Sequence, residues 1–374
     1  MGARRLMTLS MWGSCSPNPE YDPYAVTKGD TAQQVLLLTA QRPLSMGEIA
    51  SLTGTEPTTV ESELQKLSRA GLVAKVEEGF VASFAILTAE PKAQVERLTR
   101  PKGETIAKII QKHQDELKAV VRATSQPSKG WGWERLCWVV IFAILMDTGV
   151  VDRGFKRHGV TTALGAPDRP GGGRYWFMGT EGEPPYRWSF GQGTETHEKG
   201  GFSYWYEWRQ TPLLFAHPTA FGEQVVSVMH TVHGLDCLTA EEVASTAGVK
   251  TALVRKILES GIAWGCVLAD GNLFRAHYPL FESREILDIA CLCDGISSLI
   301  VENAYLPLLP EIEQIRLNYY ANNPVLDATN FITDWNVWVR EFALEQLIGE
   351  GTLPPFDEPQ IAHFWGWKGP WAIC

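Results

Sequence analysis

The 374-residue sequence has no apolar stretch long enough to cross a bilayer. Its longest, Leu136 to Met146, runs 11 residues and stops at Asp147, whereas a span needs about 20. A good secretory core is missing as well. Arg4 and Arg5 precede Leu6 to Cys15, but Thr8, Ser10, Gly13 and Ser14 interrupt that stretch, which makes a cytoplasmic protein without membrane contact the expectation. Seven cysteines, an odd number without regular spacing, fit a reducing compartment better than a disulfide framework. Catalytic signatures are equally scarce. There is no Gly-x-Ser-x-Gly, His-Glu-x-x-His or paired Cys-x-x-Cys, and Gly171-Gly172-Gly173 lacks the Lys-Ser/Thr of a phosphate loop. The sequence therefore reads as a non-enzyme with no cofactor.

Basic residues are sparse where they would matter most for a polyanion. Residues 216–374 carry 8 Lys/Arg against 20 Asp/Glu, while residues 1–215 carry 25 against 23. An acidic half repels phosphate at long range, so any DNA contact has to be local.

What is present is a pattern that occurs twice. Val35, Leu36 and Leu38 lead to Leu44-Ser45-Met46-Gly47-Glu48-Ile49-Ala50, then Gly54, then Val60, Leu64 and Leu67 at helical spacing, then Gly71. Val225 to Val232 lead likewise to Leu238-Thr239-Ala240-Glu241-Glu242-Val243-Ala244, Gly248, Val254, Ile257 and Leu258, then Gly261. Ser45 and Thr239 are expected N-caps, with Glu48 and Glu242 completing capping boxes. Gly54 and Gly248 suit a tight interhelical turn, and Gly71 and Gly261 a left-handed helix end. A hairpin follows each, with Glu78-Gly79 and Asp270-Gly271 as the turns.

Helix, helix, turn, helix and two-stranded wing over about 31–87 and 221–280 resembles the winged helix-turn-helix superfamily, of the general kind seen in ArsR- and MarR-like bacterial regulators. The resemblance implies an α+β fold: two winged helix-turn-helix domains with additional helices. Trp138, Val139, Phe142, Ala143 and Gly149 recur as Trp338, Val339, Phe342, Ala343 and Gly349, which extends the apparent duplication to a Trp-bearing helix in each copy.

Between the copies, the aromatic stretches Arg174–Gly179, Tyr186–Gln192 and Phe202–Gln210, the last two with clean aromatic–polar alternation, read as an inserted antiparallel aromatic β-sheet. Its aromatics either pack on the Leu136–Met146 helix or form a platform for an effector or partner. Trp176 and Trp205 are the candidate ligand-binding residues. The expected segments are an N-terminal extension (1–30), a first winged helix (31–100), connecting and Trp-bearing helices (101–151), the aromatic insert (152–215), a second winged helix (216–281), and C-terminal helices with an aromatic tail (282–374).

A recognition helix offers side chains near its N-terminus to bases and phosphates. The candidates are Thr58, Thr59, Ser62, Gln65 and Lys66 in the first copy, among the acids Glu61 and Glu63, and Lys250, Thr251, Arg255 and Lys256 in the second. Those residues favour double-stranded DNA as partner and a transcriptional regulator as function. The acidic second half leaves two alternatives: a tandem winged-helix scaffold that binds proteins, or a plasmid-type replication initiator. His230, His233 and Cys237 form a three-ligand set too incomplete for a metal site.

Overall fold

The computed structural model describes every residue except 1–5, 15–17, 161–165, 188–189, 199, 208–222, 235–236, 327, 356–362 and 370–374. Strand β1 (Met7–Ser14) precedes a short helix, α1 (Pro23–Val26). Three helices, α2 (Asp30–Leu38), α3 (Met46–Thr53) and α4 (Pro57–Arg69), lead into a hairpin of β2 (Val73–Val76) and β3 (Gly79–Ala82), then β4 (Ala85–Leu87). Helices α5 (Ala89–Lys112) and α6 (Gln114–Arg122) follow. Next, α7 (Trp133–Trp138) continues as a wide helix with i→i+5 bonding over Val139–Gly154, and α8 (Phe155–Arg157) closes the segment.

After β5 (Arg174–Glu181), β6 (Phe190–His197) and β7 (Gly200–Glu207), the order of elements begins again. It runs α9 (Glu223–Gly234), β8 (Leu238–Thr239), α10 (Ala240–Ala247) and α11 (Thr251–Ala263), then the hairpin β9 (Val267–Asp270) and β10 (Leu273–Ala276). Strand β11 (Leu280–Phe281), helices α12 (Ser283–Ile300), α13 (Leu309–Tyr320) and α14 (Ala328–Gly349), and β12 (His363–Lys368) complete it. The chain is α+β, with several small sheets.

Local chemistry explains the recurrence. Ser45 and Thr239 cap α3 and α10 by accepting the Glu48 and Glu242 amides, and each glutamate returns the bond to the cap residue's own N–H at 2.8 Å. Gly54 and Gly248 both sit in the left-handed region, at φ 64° and 67°. Beyond α4 and α11 the hydrogen bonds match one for one. Leu72 N–H donates to the Leu67 carbonyl and Cys266 to Gly261, while Ser83 donates to Leu72 and His277 to Cys266. The hairpin registers, Val73 with Ala82 and Val267 with Ala276, keep the same offset.

That offset corrects one expectation. Gly71 is left-handed, but its counterpart is Gly265 (φ 76°) rather than Gly261, which lies inside α11. A Cβ on Gly261 would stand 2.5 Å from a Val267 methyl. Where the first copy has Leu67 and Ala70, the second has Gly261 and Trp264, so the bulk moves by one turn while both cores stay filled. The turn residues also differ from those expected: Glu77-Glu78 and Gly271-Asn272 form the two-residue loops.

The chain divides into two compact units that interleave its halves. The first comprises 1–106, 155–187 and 300–344; the second comprises 107–154, 188–299 and 345–374. In the first, β5 runs antiparallel to β1 and parallel to β4, with β2–β3 as a separate pair. Segment 300–344 is tied into this unit by polar bonds. The Tyr320 hydroxyl donates to the Ile86 carbonyl at 2.7 Å, and the Asn323 amide donates to the carbonyls of Ala40 and Ala82 at 2.9 and 3.0 Å. In the second unit, β12 runs antiparallel to β7 and parallel to β11, and β6 extends the sheet beyond β7. Segment 107–154 is anchored there by Gln126, whose amide donates to the Leu280 carbonyl at 2.8 Å.

The strands expected as one inserted meander therefore belong to different sheets: β5 joins β1 and β4, and β6–β7 join β12. Their described aromatics pack on the helix–hairpin cores. Phe177 lies against Phe84 and Tyr24, and Phe202 against Tyr278 and Phe364. The region expected as a plain N-terminal extension supplies β1, whose Met7 and Leu9 are buried.

Gly103 on α5 marks a close helix approach in the first unit. A Cβ there would lie 2.5 Å from Phe342 Cβ and 2.8 Å from the Ala343 amide nitrogen on α14. Because one of those atoms is backbone, the helices have to move apart. Gly103→Ala is expected to lose about 2 kcal/mol, overpacking outweighing a helix-propensity gain of up to ~1 kcal/mol. Urea unfolding checks it: an unchanged or raised midpoint contradicts the close approach.

Candidate nucleic-acid interface

Helices α4 and α11 each bury one stripe and present the other face to solvent. Val60, Leu64 and Leu67 face the first core; Val254, Ile257 and Leu258 face the second. Neither helix has a side-chain N-cap: Glu56 and Lys250 occupy the cap positions and bond to the first turn through their carbonyls alone. The first-turn amides of α4 and α11 thus donate to no side-chain cap, and helix N-terminal amides favour anions.

On α4, Thr58, Thr59, Ser62 and Gln65 are exposed. Lys66 is not available in the same way. It is half-buried and bonded to Glu63 at 2.7 Å, and the exposed Glu56 and Glu61 flank it. With Glu77 and Glu78 at the hairpin tip, this face carries more negative than positive charge.

The second face differs. Lys250, Arg255 and Lys256 are exposed and Thr251 is half-buried. Arg255 reaches across to Glu241 on α10, at 2.5 Å, and that bond holds the Glu241 carboxyl below its ordinary range. Both partners of this pair are largely solvent-exposed, so it restrains Arg255 only weakly. Lys250 and Lys256 make no ion pair with any described residue. The second helix thus brings together a threonine and two uncompensated lysines over its first two turns.

The two histidines considered as metal ligands are committed to structure. His230 bonds through Nε2 to the Gly201 carbonyl at 3.0 Å, and His233 through Nε2 to the Tyr278 carbonyl at 3.1 Å. Burial pushes the His233 pKa down, in keeping with a neutral donor. Among the described residues no His, Cys, Asp or Glu group is arranged to hold a metal ion. Of the described cysteines, Cys137, Cys237, Cys266 and Cys293 are free and Cys291 is disulfide-bonded, whereas the odd count and irregular spacing favoured a reducing compartment over a disulfide framework.

Neither aromatic ligand candidate offers a described open platform. Trp176 is buried in β5, across from Trp12 on β1. The backbone of Trp205 pairs with His363 and Gln192, while its side chain lies outside the described residues. Sequence reasoning missed a group of cations at the base of the second hairpin: Arg275 and His277 on one side, Arg135 with Trp131 on the other. Only their separation in sequence hid them.

Comparison with protein-family models, curated proteins and solved structures found no match in any of the three. Among the described residues no helix is long and apolar enough to cross a membrane.

Proposed function

We propose that the two helix–turn–helix–hairpin segments are winged helix-turn-helix modules related by duplication, and that the protein is a cytoplasmic DNA-binding transcriptional regulator. The observation that carries this reading is the outward face of α11, with exposed, uncompensated Lys250 and Lys256 beside Thr251 at the helix start. The second module makes the stronger contacts, through these residues and Arg255 once released from Glu241. The first assists through Thr58, Thr59, Ser62 and Gln65. Its acidic surroundings, from Glu56 and Glu61 to Glu77 and Glu78, favour a second role for that face in binding a protein partner.

The test is a salt-titrated binding assay on fragmented genomic DNA. Selected fragments should be retained at low salt, with affinity falling as salt rises. Lys250→Ala/Lys256→Ala should lower the log–log salt slope by about 2, at roughly 0.9 per lost phosphate contact. Lys66→Ala should leave the slope unchanged. Failure to retain any fragment at low salt moves the reading to a protein-binding scaffold.

A further inference from the structure

The outer edge of the second hairpin carries a group of cations that the α11 reading does not use. On β10, Phe274 and Ala276 pack into the core, so the strand's two-residue period places Arg275 and His277 together on the opposite face. Segment 107–154, which belongs to the same unit, brings Trp131 and Arg135 to this edge. The Trp131 ring lies 5.5 Å from the His277 ring, and the Arg135 guanidinium lies 5.4 Å from the Trp131 centroid. Arg135, Arg275 and His277 are exposed, and neither arginine makes an ion pair with any described residue. Glu134, the nearest carboxylate in sequence, has an oxygen turned toward Gly132, and Asp270 stands two rungs away at the hairpin tip.

We infer that Trp131, Arg135, Arg275 and His277 form a phosphate-binding cluster, built by the aromatic ring holding one guanidinium beside a second arginine and an imidazole. Arg135 and Arg275 both act electrostatically on the His277 ring, and an anion bound among these groups relieves that repulsion. A cation over an indole is held in place at modest cost in hydration, which pre-orients its donors. His277 adds a third donor; partial burial, then Arg135 and Arg275, depress its pKa, and a phosphate bound beside it acts in the opposite direction. The first hairpin has no such edge. At the matching positions stand Val81, which is buried, and Ser83, whose hydroxyl donates to the Gly71 carbonyl at 2.6 Å. The cluster is therefore particular to the second unit and not a general feature of the repeated fold.

The shared chemistry is a phosphate ester, either in a duplex DNA backbone or in a free phosphorylated small molecule. In its DNA form the inference rests on the regulator reading, and the experiment separates the two. In full-length protein with isotope-labelled histidine, the His277 imidazole is assigned by its loss in His277→Gln. It is then titrated with pH alone, with sodium pyrophosphate, and with a duplex that the binding assay retains, or a random 20-base-pair duplex if none is retained. Binding should raise the His277 pKa by about 1 or more, an effect of a nearby opposite charge. The rise should vanish in Arg135→Ala/Arg275→Ala, while the other histidine resonances stay in place to show that the fold is intact. A response to micromolar duplex, with pyrophosphate acting only at millimolar concentration, assigns the DNA backbone; the reverse assigns a free phosphate ester. A duplex that binds with a steep salt dependence while His277 responds to neither ligand overturns the cluster and leaves the regulator reading standing. A response to pyrophosphate without any duplex binding keeps the cluster and ends that reading. No response and no duplex binding overturns both.

Discussion

Arg340→Met is expected to destabilise the first unit by about 3–5 kcal/mol, the usual consequence of leaving a buried charge without its partner. Arg340 and Glu341 on α14 are joined at 2.7 Å, and the Glu341 side chain is fully buried. Tyr305 is buried with its hydroxyl against the Asn336 carbonyl at 3.4 Å, and its ring packs on Phe155. Burial raises the Tyr305 pKa well above its ordinary value, so it does not supply a charge of its own. The double variant Arg340→Met/Glu341→Leu removes both charges and should recover most of the loss, because a well-packed apolar pair often equals a buried ion pair in stability. Urea unfolding of the three proteins decides it. Equal losses in the single and double variants would show that packing volume, not charge, governs the site.

Asp152→Asn is expected to do the opposite, with a gain that grows as pH rises from the carboxyl's ordinary 3.8 to about 7 and stays constant above it. Asp152 lies in the wide helix Val139–Gly154, where i→i+5 bonding brings residues five apart toward one face, so Asp147 is its close neighbour. Burial first, and the Asp147 charge second, push the Asp152 carboxyl up to about 7, with Arg153 opposing them. Between its ordinary 3.8 and about 7 the folded chain keeps a proton that the unfolded chain has released. Stability therefore declines as pH rises through that window and levels off above it. At 1.36 kcal/mol per pKa unit the full interval would be at most about 4 kcal/mol, and for a half-buried carboxyl about 2 kcal/mol is the expected gain from asparagine at pH 8. Near pH 4 the two proteins should unfold at the same denaturant concentration. A gain of equal size at both pH values would mean that the amide improves packing rather than removing a charge.

Much of the local fold was legible because it depends on neighbours in sequence. The capping boxes at Ser45 and Thr239 and the left-handed glycines at Gly54 and Gly248 needed only a few residues to be recognised. Gly261 misled for the same reason: a glycine near a helix end looks like a terminator, and the packing of Trp264 on Phe364 that moves the end to Gly265 is not local. The aromatic strands were legible as strands through their period of two, but that period does not name a partner. Pairing of β5 with β1, and of β7 with β12, is decided over more than a hundred residues. Alternation in Met7-Thr8-Leu9-Ser10-Met11 was present too, and it was read only for its failure as a secretory core. At the candidate interface, residue types were readable, but the neutralisation of Lys66 by Glu63 and of Arg255 by Glu241 depends on side-chain reach.

The interleaving of the two units bears on how the chain is made. A ribosome delivers 1–187 long before 300–344, so the Ile86, Ala40 and Ala82 carbonyls wait for Tyr320 and Asn323 while the nascent chain lengthens. At roughly 5–20 residues per second, the 234 residues from Ile86 to Tyr320 take about 12–47 s. Helices and hairpins held by nearby residues form during it, but neither unit's set of segments is complete until its last piece has left the exit tunnel. Synthesis of this protein therefore passes through a state with folded modules and carbonyls that still await their partners, the kind of intermediate that chaperones shield.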